Sequence, residues 1–176
     1  MFSFLDKDKD GLKKANKSDD TDGRLVAPGT EISYKKSLIN KYTDEHQNLQ
    51  RLFELALAAY QQAKDEIFLL HLRELQIALR KHLLDEELNL YIYLRHCYRQ
   101  DKDKQELITA FKKGSKKTGV KTFAYIRQYT EEGGEISRDE AFLSDLLEIG
   151  NTLGDLIISE EHYLYPIYQK PADIPV

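Results

Sequence analysis

The amino-acid sequence predicts an all-α protein, an up-down-up-down four-helix bundle. Four stretches carry apolar residues at helical spacing, no segment alternates apolar and polar residues with a period of two, and valine occurs only three times. Four long helices with short connections form such a bundle. With 176 residues, 41% of them hydrophobic and 32% charged, the chain is long enough for one domain with a buried core.

Residues 1–30 are predicted to form a mobile charged arm. They contain six basic and six acidic side chains and few large apolar ones. Such a segment cannot bury enough apolar surface to fold by itself. The bundle would then occupy residues 31–170, and residues 171–176 would form a short C-terminal tail.

The first two helices are predicted from their apolar spacing. The first extends from about Tyr34 to Ala63, and the second from about Glu66 to Tyr98. The short polar break between them predicts helices that lie side by side.

The last two helices have clearer end signals. The third extends from about Lys104 to Tyr129 and is followed by two glycines, which stop a helix. The fourth is predicted to begin at Ser137, which forms a capping box with Glu140, and to end at Pro166.

Composition excludes several classes of function. The net charge of −4 argues against nonspecific nucleic-acid binding. The single cysteine, Cys97, cannot form an internal disulfide. The first ten residues are too charged for a signal peptide, and no stretch approaches the ~20 apolar residues of a membrane helix. We therefore expect a cytoplasmic protein that binds neither nucleic acid nor membrane.

Four ionisable residues interrupt the apolar stripes of three helices. They are His46 on the first helix, His82 and Glu86 on the second, and Glu160 on the fourth. Burying one such group alone is costly, so several at a similar depth are expected to satisfy one another or to hold a cation. Two imidazoles and two carboxylates suit iron, manganese or zinc. These four residues are the predicted metal ligands.

The second and fourth helices also contain two copies of one pattern. Residues 80–91 read R-K-H-L-L-D-E-E-L-N-L-Y, and residues 159–168 read S-E-E-H-Y-L-Y-P-I-Y. Aligned on their Glu-Glu pairs, the first copy has His82 one helical turn before Glu86, whereas the second has Leu156 one turn before Glu160. One metal-ligand motif is intact and the other has lost its histidine.

These segments, with D-E-H-Q-N-L around His46, resemble the hemerythrin-like, HHE cation-binding domains of bacteria. The resemblance covers about residues 32–168 and implies a four-helix bundle that holds two carboxylate-bridged irons and binds dioxygen or related small ligands. It implies histidine ligands at His46 and His82 and bridging carboxylates at Glu86 and Glu160. The chain departs from that family because its third helix has no histidine and Leu156 replaces the fourth-helix histidine.

Two interpretations stay open. One is a single iron, or another divalent metal, held by the four predicted ligands, in a protein that senses or handles oxygen, nitric oxide or iron by binding rather than turnover. We then expect no catalytic residue and a small diatomic ligand. The other is a metal-free bundle, a regulatory or protein-interaction module in which a third-helix lysine pairs with Glu86 or Glu160. A protein partner or a homo-oligomer is open in both.

Overall fold

The protein is described by a computed structural model that covers residues 21–27, 29 and 31–173. In chain order, the strands and helices are β1 (Thr21–Val26), β2 (Ser33–Lys35), α1 (Leu38–Gln61), α2 (Asp65–Asp85), α3 (Ile92–Cys97), α4 (Lys102–Thr130) and α5 (Glu140–Ser159). Two π-helical segments, Glu86–Tyr91 and Glu160–Leu164, continue α2 and α5. Short 3₁₀ turns at Tyr165–Ile167 and Pro171–Asp173 follow.

The coarse prediction of a helical bundle is confirmed. α2, its π-helical segment and α3 follow one another without a break, so the chain has four helical rods at the predicted places. α1 packs on α2, α2 on α4, α4 on α5, and α5 back on α1. In the described part of the chain, no helix is both long and apolar enough to span a membrane.

Part of the predicted arm of residues 1–30 lies within the described residues. Within that stretch Thr21–Val26 forms a strand antiparallel to Ser33–Lys35. The apolar residues that follow β1 explain this, because Ala27 is buried with the core. The rest of the predicted arm, residues 1–20, 28 and 30, lies outside the described residues, as do residues 174–176 of the predicted tail.

The start of α5 corrects the predicted capping box. Asp139, not Ser137, is the N-cap, and its carboxylate accepts a hydrogen bond from the Phe142 amide at 2.8 Å. Ser137 lies two residues before the N-cap, and its hydroxyl accepts a hydrogen bond from the Asp139 amide. The polar cluster was recognised correctly, but the helix begins three residues later, at Glu140.

Two apolar clusters lie at opposite ends of the bundle, and a polar layer separates them. One contains Leu49, Leu79 and Ile157, and the other contains Tyr42 and Leu90. Each of the four helical rods passes from one cluster to the other through buried polar residues. These residues are His46, His82, Glu86, Ser115, Thr118, Thr122 and Glu160.

Glycine permits two close helix approaches near this layer. A Cβ atom on Gly119 of α4 would lie 2.6 Å from the Leu83 side chain of α2, and one on Gly150 of α5 would collide with the Phe53 ring of α1. Larger residues there would push the helices apart, because core packing leaves little free space. The helices therefore pack tightly between α2 and α4 and between α1 and α5.

Candidate metal centre

The structure brings together all four residues that the sequence analysis selected. His46, His82, Glu86 and Glu160 are each at most 2% exposed, and each contributes one nitrogen or oxygen atom to a group whose members all lie within 4.8 Å of one another. They come from α1, α2 and the two π-helical segments. The described part of the chain therefore contains a buried cluster that can hold a metal ion.

Both imidazoles are held from behind by carboxylates. His46 Nδ1 lies 2.8 Å from Glu161 Oε1, and His82 Nδ1 lies 2.9 Å from Glu45 Oε2. A carboxylate only accepts hydrogen bonds, so each Nδ1 carries the proton and donates it. Each Nε2 atom is then left with a lone pair that points into the cluster. Carboxylates that orient ligand histidines in this way are common around protein-bound metals.

The two inward-facing nitrogens lie against each other. His46 Nε2 and His82 Nε2 are 3.1 Å apart, a distance at which two lone pairs repel unless a proton or a cation lies between them. Burial, helped by the nearby His46, lowers the pKa of His82 to about 4 in spite of the opposing hydrogen bond with Glu45. His82 is therefore neutral at pH 7, as a metal ligand must be.

The carboxylates add two more unsatisfied acceptors. Glu86 Oε2 and Glu160 Oε2 are buried and find no hydrogen-bond donor among the described residues. Glu160 Oε2 lies 3.5 Å from His46 Nε2, and Glu86 Oε2 lies 3.6 Å from His82 Nε2. Burial raises the pKa of both carboxyls, and for Glu86 the nearby Glu160 raises it further. The cluster thus attracts protons, and a metal cation can replace them.

Two tyrosines complete the cluster in a symmetric arrangement. Tyr165 donates its hydroxyl hydrogen to Glu86 Oε1 at 2.8 Å, and Tyr91 donates to Glu160 Oε1 at 3.3 Å. Each tyrosine lies five residues after the glutamate of its own repeat and contacts the glutamate of the other repeat. The Tyr165 hydroxyl is also 3.0 Å from His46 Nε2.

Sequence reasoning missed these supporting residues. Tyr91 and Tyr165 end the two aligned Glu-Glu-x-x-Leu-Tyr patterns, and that repeated tyrosine was the available signal. Glu45 directly precedes His46, and Glu161 directly follows Glu160. Neighbouring residues of a helix normally point to different faces. Only the structure shows that both reach an imidazole across the bundle.

The π-helical segments start at the two ligand glutamates. The change from i→i−4 to i→i−5 pairing leaves a carbonyl short of a donor, and single turns of this kind occur often at functional sites. Asn89 donates to the Asp85 carbonyl at 3.2 Å, and the Tyr42 hydroxyl donates to the same oxygen at 3.1 Å. In the second segment His162 contacts the Ile158 carbonyl at 2.9 Å. Side chains therefore stabilise the wider turns at both glutamates.

The other half of the polar layer has no histidine. Ser115 of α4 lies within hydrogen-bonding reach of the Tyr91 hydroxyl, as His46 does for Tyr165. Ser115 and Leu156 are thus the counterparts of His46 and His82. Leu156 was predicted to point inward, but it is only half-buried and lines a surface groove between α4 and α5, while Ile157 takes the core position.

The proposed lysine plug is wrong for the described residues. Lys112 pairs with Glu87 and Lys121 pairs with Glu148, each at 2.5 Å, on the outside of the bundle. Glu86 Oε2 and Glu160 Oε2, which such a lysine would neutralise, find no hydrogen-bond donor among the described residues. The basic face of α4 therefore forms surface ion pairs.

Comparison of the chain with models of protein families, with curated proteins and with solved structures finds no match in any of the three. The function must therefore be argued from the cluster itself.

Proposed function

We propose that this protein binds one divalent metal ion, iron first among the candidates, through His46, His82, Glu86 and Glu160. One observation carries the proposal: two imidazole nitrogens and two carboxylate oxygens converge in a buried space, and among the described residues Glu86 Oε2 and Glu160 Oε2 find no donor, because Tyr165 and Tyr91 donate to the other oxygen of each glutamate. Such a group is unstable without protons or a cation. Two nitrogens and two carboxylate oxygens suit iron, manganese and zinc.

The internal symmetry of the polar layer supports one ion instead of two. The half that contains His46 and His82 offers two imidazoles. The corresponding positions on the other half are Ser115 and Leu156, and neither side chain provides a strong ligand for such a metal. The two glutamates would then serve one ion as terminal ligands.

The functional class rests on the resemblance to hemerythrin-like domains and on the bundle geometry. We infer an up-down-up-down bundle of that type, in which a bound iron would supply a position for a small diatomic ligand. A role in sensing or handling oxygen, nitric oxide or iron follows, by binding rather than turnover. We place this role in the cytoplasm.

The residues around the site would prepare it for the ion. Glu45 and Glu161 fix the tautomer and orientation of the two imidazoles, so that each presents a lone pair. Lys41 in turn lies 3.6 Å from the Glu45 carboxylate and 2.5 Å from that of Asp85. Tyr165 holds one oxygen of Glu86 and leaves the other for the metal. The apolar clusters above and below exclude bulk water.

The test is calorimetric titration of metal-free protein with ferrous iron under anaerobic conditions, alongside two histidine variants. We expect wild type to bind one ion and His82→Ala to lose binding at least a hundredfold. His71→Ala is the matched control: His71 lies on the same helix, about 16 Å away along its axis, and hydrogen-bonds only Glu74 among the described residues. Equal affinity of wild type and His82→Ala would refute the proposal.

The metal-free interpretation predicts a different pattern. A bundle that serves only as an interaction module would show no heat of binding and no change in melting temperature with chelator. His82→Ala would then cost only a buried hydrogen bond, about 1–3 kcal/mol. The same titration and a melting curve therefore separate the two functions.

A further inference from the structure

An apolar stripe runs along the outer face of α2. Ten large hydrophobic side chains are exposed in the described part of the chain, and five of them lie on α2 or just after it. They are Ile67, Leu70, Ile77, Leu84 and Leu88. Leu70, Ile77 and Leu84 are separated by seven residues each, so they lie above one another on one face of the helix.

This face is opposite to the buried one. Leu72, Leu75 and Leu79 of the same helix are at most 1% exposed, whereas Ile77 is 69% exposed and Leu84 is 58% exposed. The outer face of a solvated helix is normally polar. Single exposed apolar residues need no explanation, but an aligned row is typical of a contact surface.

The stripe is almost symmetric about Ile77. Leu70 and Leu84 lie seven residues before and after it, and Glu74 and Lys81 lie three before and four after it. An antiparallel copy related by a two-fold axis at Ile77 would place Leu70 against the copy's Leu84. It would also place Glu74 near the copy's Lys81, twice over. The same axis would bring Arg73 toward the copy's Arg80, but both guanidinium groups are held toward α4, by the Thr130 carbonyl and the Phe123 ring. The Glu74–Lys81 pairs therefore give the self-complementarity that a two-fold interface requires.

A cavity beside the stripe provides room for the copy. It has a volume of about 290 Å³, lies between α2 and α4, and has Leu84 and the exposed Val120 in its lining. The pairing of Leu70 with the copy's Leu84 would bring Leu70 to its mouth. Lys81 has no carboxylate within 4 Å among the described residues, so it is available to Glu74 of the copy.

We propose that the chain forms an antiparallel two-fold dimer through the outer face of α2, centred on Ile77. The proposal goes beyond metal binding, because none of the stripe residues belongs to the metal cluster. It applies to metal-free and metal-loaded protein alike. The interface is about one helix wide, so we expect a dimer that dissociates on dilution.

Sedimentation velocity of the full chain over a wide concentration range tests this proposal. We expect wild type to shift from monomer to dimer as concentration rises, and Ile77→Lys to weaken the dimer at least tenfold. Ile158→Lys is the matched control, because Ile158 is 55% exposed on α5, away from the stripe. Both sites are exposed, so the substitutions leave the core intact, which a melting curve checks.

A charge exchange tests the orientation. Glu74→Lys would replace each of the two opposite-charge pairs across the interface by a pair of like charges and should favour the monomer. The double variant Glu74→Lys/Lys81→Glu should restore the wild-type dimer. A monomeric wild type at every concentration would overturn the proposal, as would assembly beyond a dimer. Dissociation by Ile158→Lys with no effect of Ile77→Lys, or failure of the double variant, would also overturn it.

Discussion

Replacing Glu86 by Gln should stabilise the metal-free protein and weaken the stabilisation that metal gives. Glu86 is fully buried, with one oxygen hydrogen-bonded to Tyr165 and the other unsatisfied. In metal-free protein, glutamine keeps an acceptor for Tyr165, removes a carboxylate that burial disfavours, and offers an amide hydrogen toward His82. We expect a gain of about 1–3 kcal/mol in the free energy of unfolding, the usual penalty of an unsatisfied buried group. The melting temperature should rise by roughly 2–12 °C.

Metal should reduce or cancel this advantage, because it stabilises wild type more than the variant. At a metal concentration about a hundred times the Kd, binding stabilises wild type by about 2.7 kcal/mol. A neutral amide is a poorer ligand, and if Glu86→Gln weakens binding about a hundredfold, the same metal concentration adds only about 0.4 kcal/mol. Differential scanning calorimetry with chelator and with ferrous iron measures both effects. A variant that melts below wild type in chelator, or that gains as much from iron as wild type does, would refute the reasoning.

Three further predictions follow from the same cluster. Burial raises the pKa of Glu86, so above the ordinary glutamate pKa the folded metal-free protein binds more protons than the unfolded chain. The pKa of His82 is lowered to about 4, so His82 has the opposite effect on proton binding, but only up to its unfolded pKa near 6.5. Urea unfolding of metal-free protein should therefore show a contribution to stability that is lost as pH rises from the ordinary glutamate pKa to the raised folded pKa of Glu86, and Glu86→Gln should remove it; the same pH profile in wild type and Glu86→Gln would contradict this. Tyr165→Phe removes the one hydroxyl shared by a glutamate and a histidine, and urea unfolding should show a loss of about 1–2 kcal/mol in metal-free protein. Ser115→His adds an imidazole to the other half of the layer, but Leu156 lines the outer groove and supplies no partner ligand, so elemental analysis should still find about one metal ion per chain; two ions per chain would contradict this.

The helices could be predicted from the sequence because their apolar residues repeat at helical spacing. The four cluster residues could be predicted because each interrupts an otherwise apolar stripe, as His46 does between Tyr42 and Leu49. The predicted helix ends differ from the observed ends by a few residues. Two possible N-cap residues, Ser137 and Asp139, lie two positions apart in the sequence, and only packing selects one of them.

Other features depend on contacts between distant parts of the chain. The π-helical turns at Glu86 and Glu160 have no local sequence signal comparable to a cap, although the nearby side chains of Asn89 and His162 help to satisfy the widened backbone. The carboxylates behind the histidines come from residues 45 and 161, which helical spacing assigns to other faces. β1 lies in a stretch that contains a few apolar residues, but the high content of charged residues in that stretch predicted an arm.

The central claim is one metal ion per chain, held by His46, His82, Glu86 and Glu160. Elemental analysis of untagged protein, after anaerobic incubation with ferrous iron and removal of unbound metal, tests it most directly. We predict about one iron per chain in wild type and almost none in His46→Ala. Two irons per chain would contradict the assignment of Ser115 and Leu156 as non-ligands, and no iron, together with no other divalent metal, would contradict the claim itself.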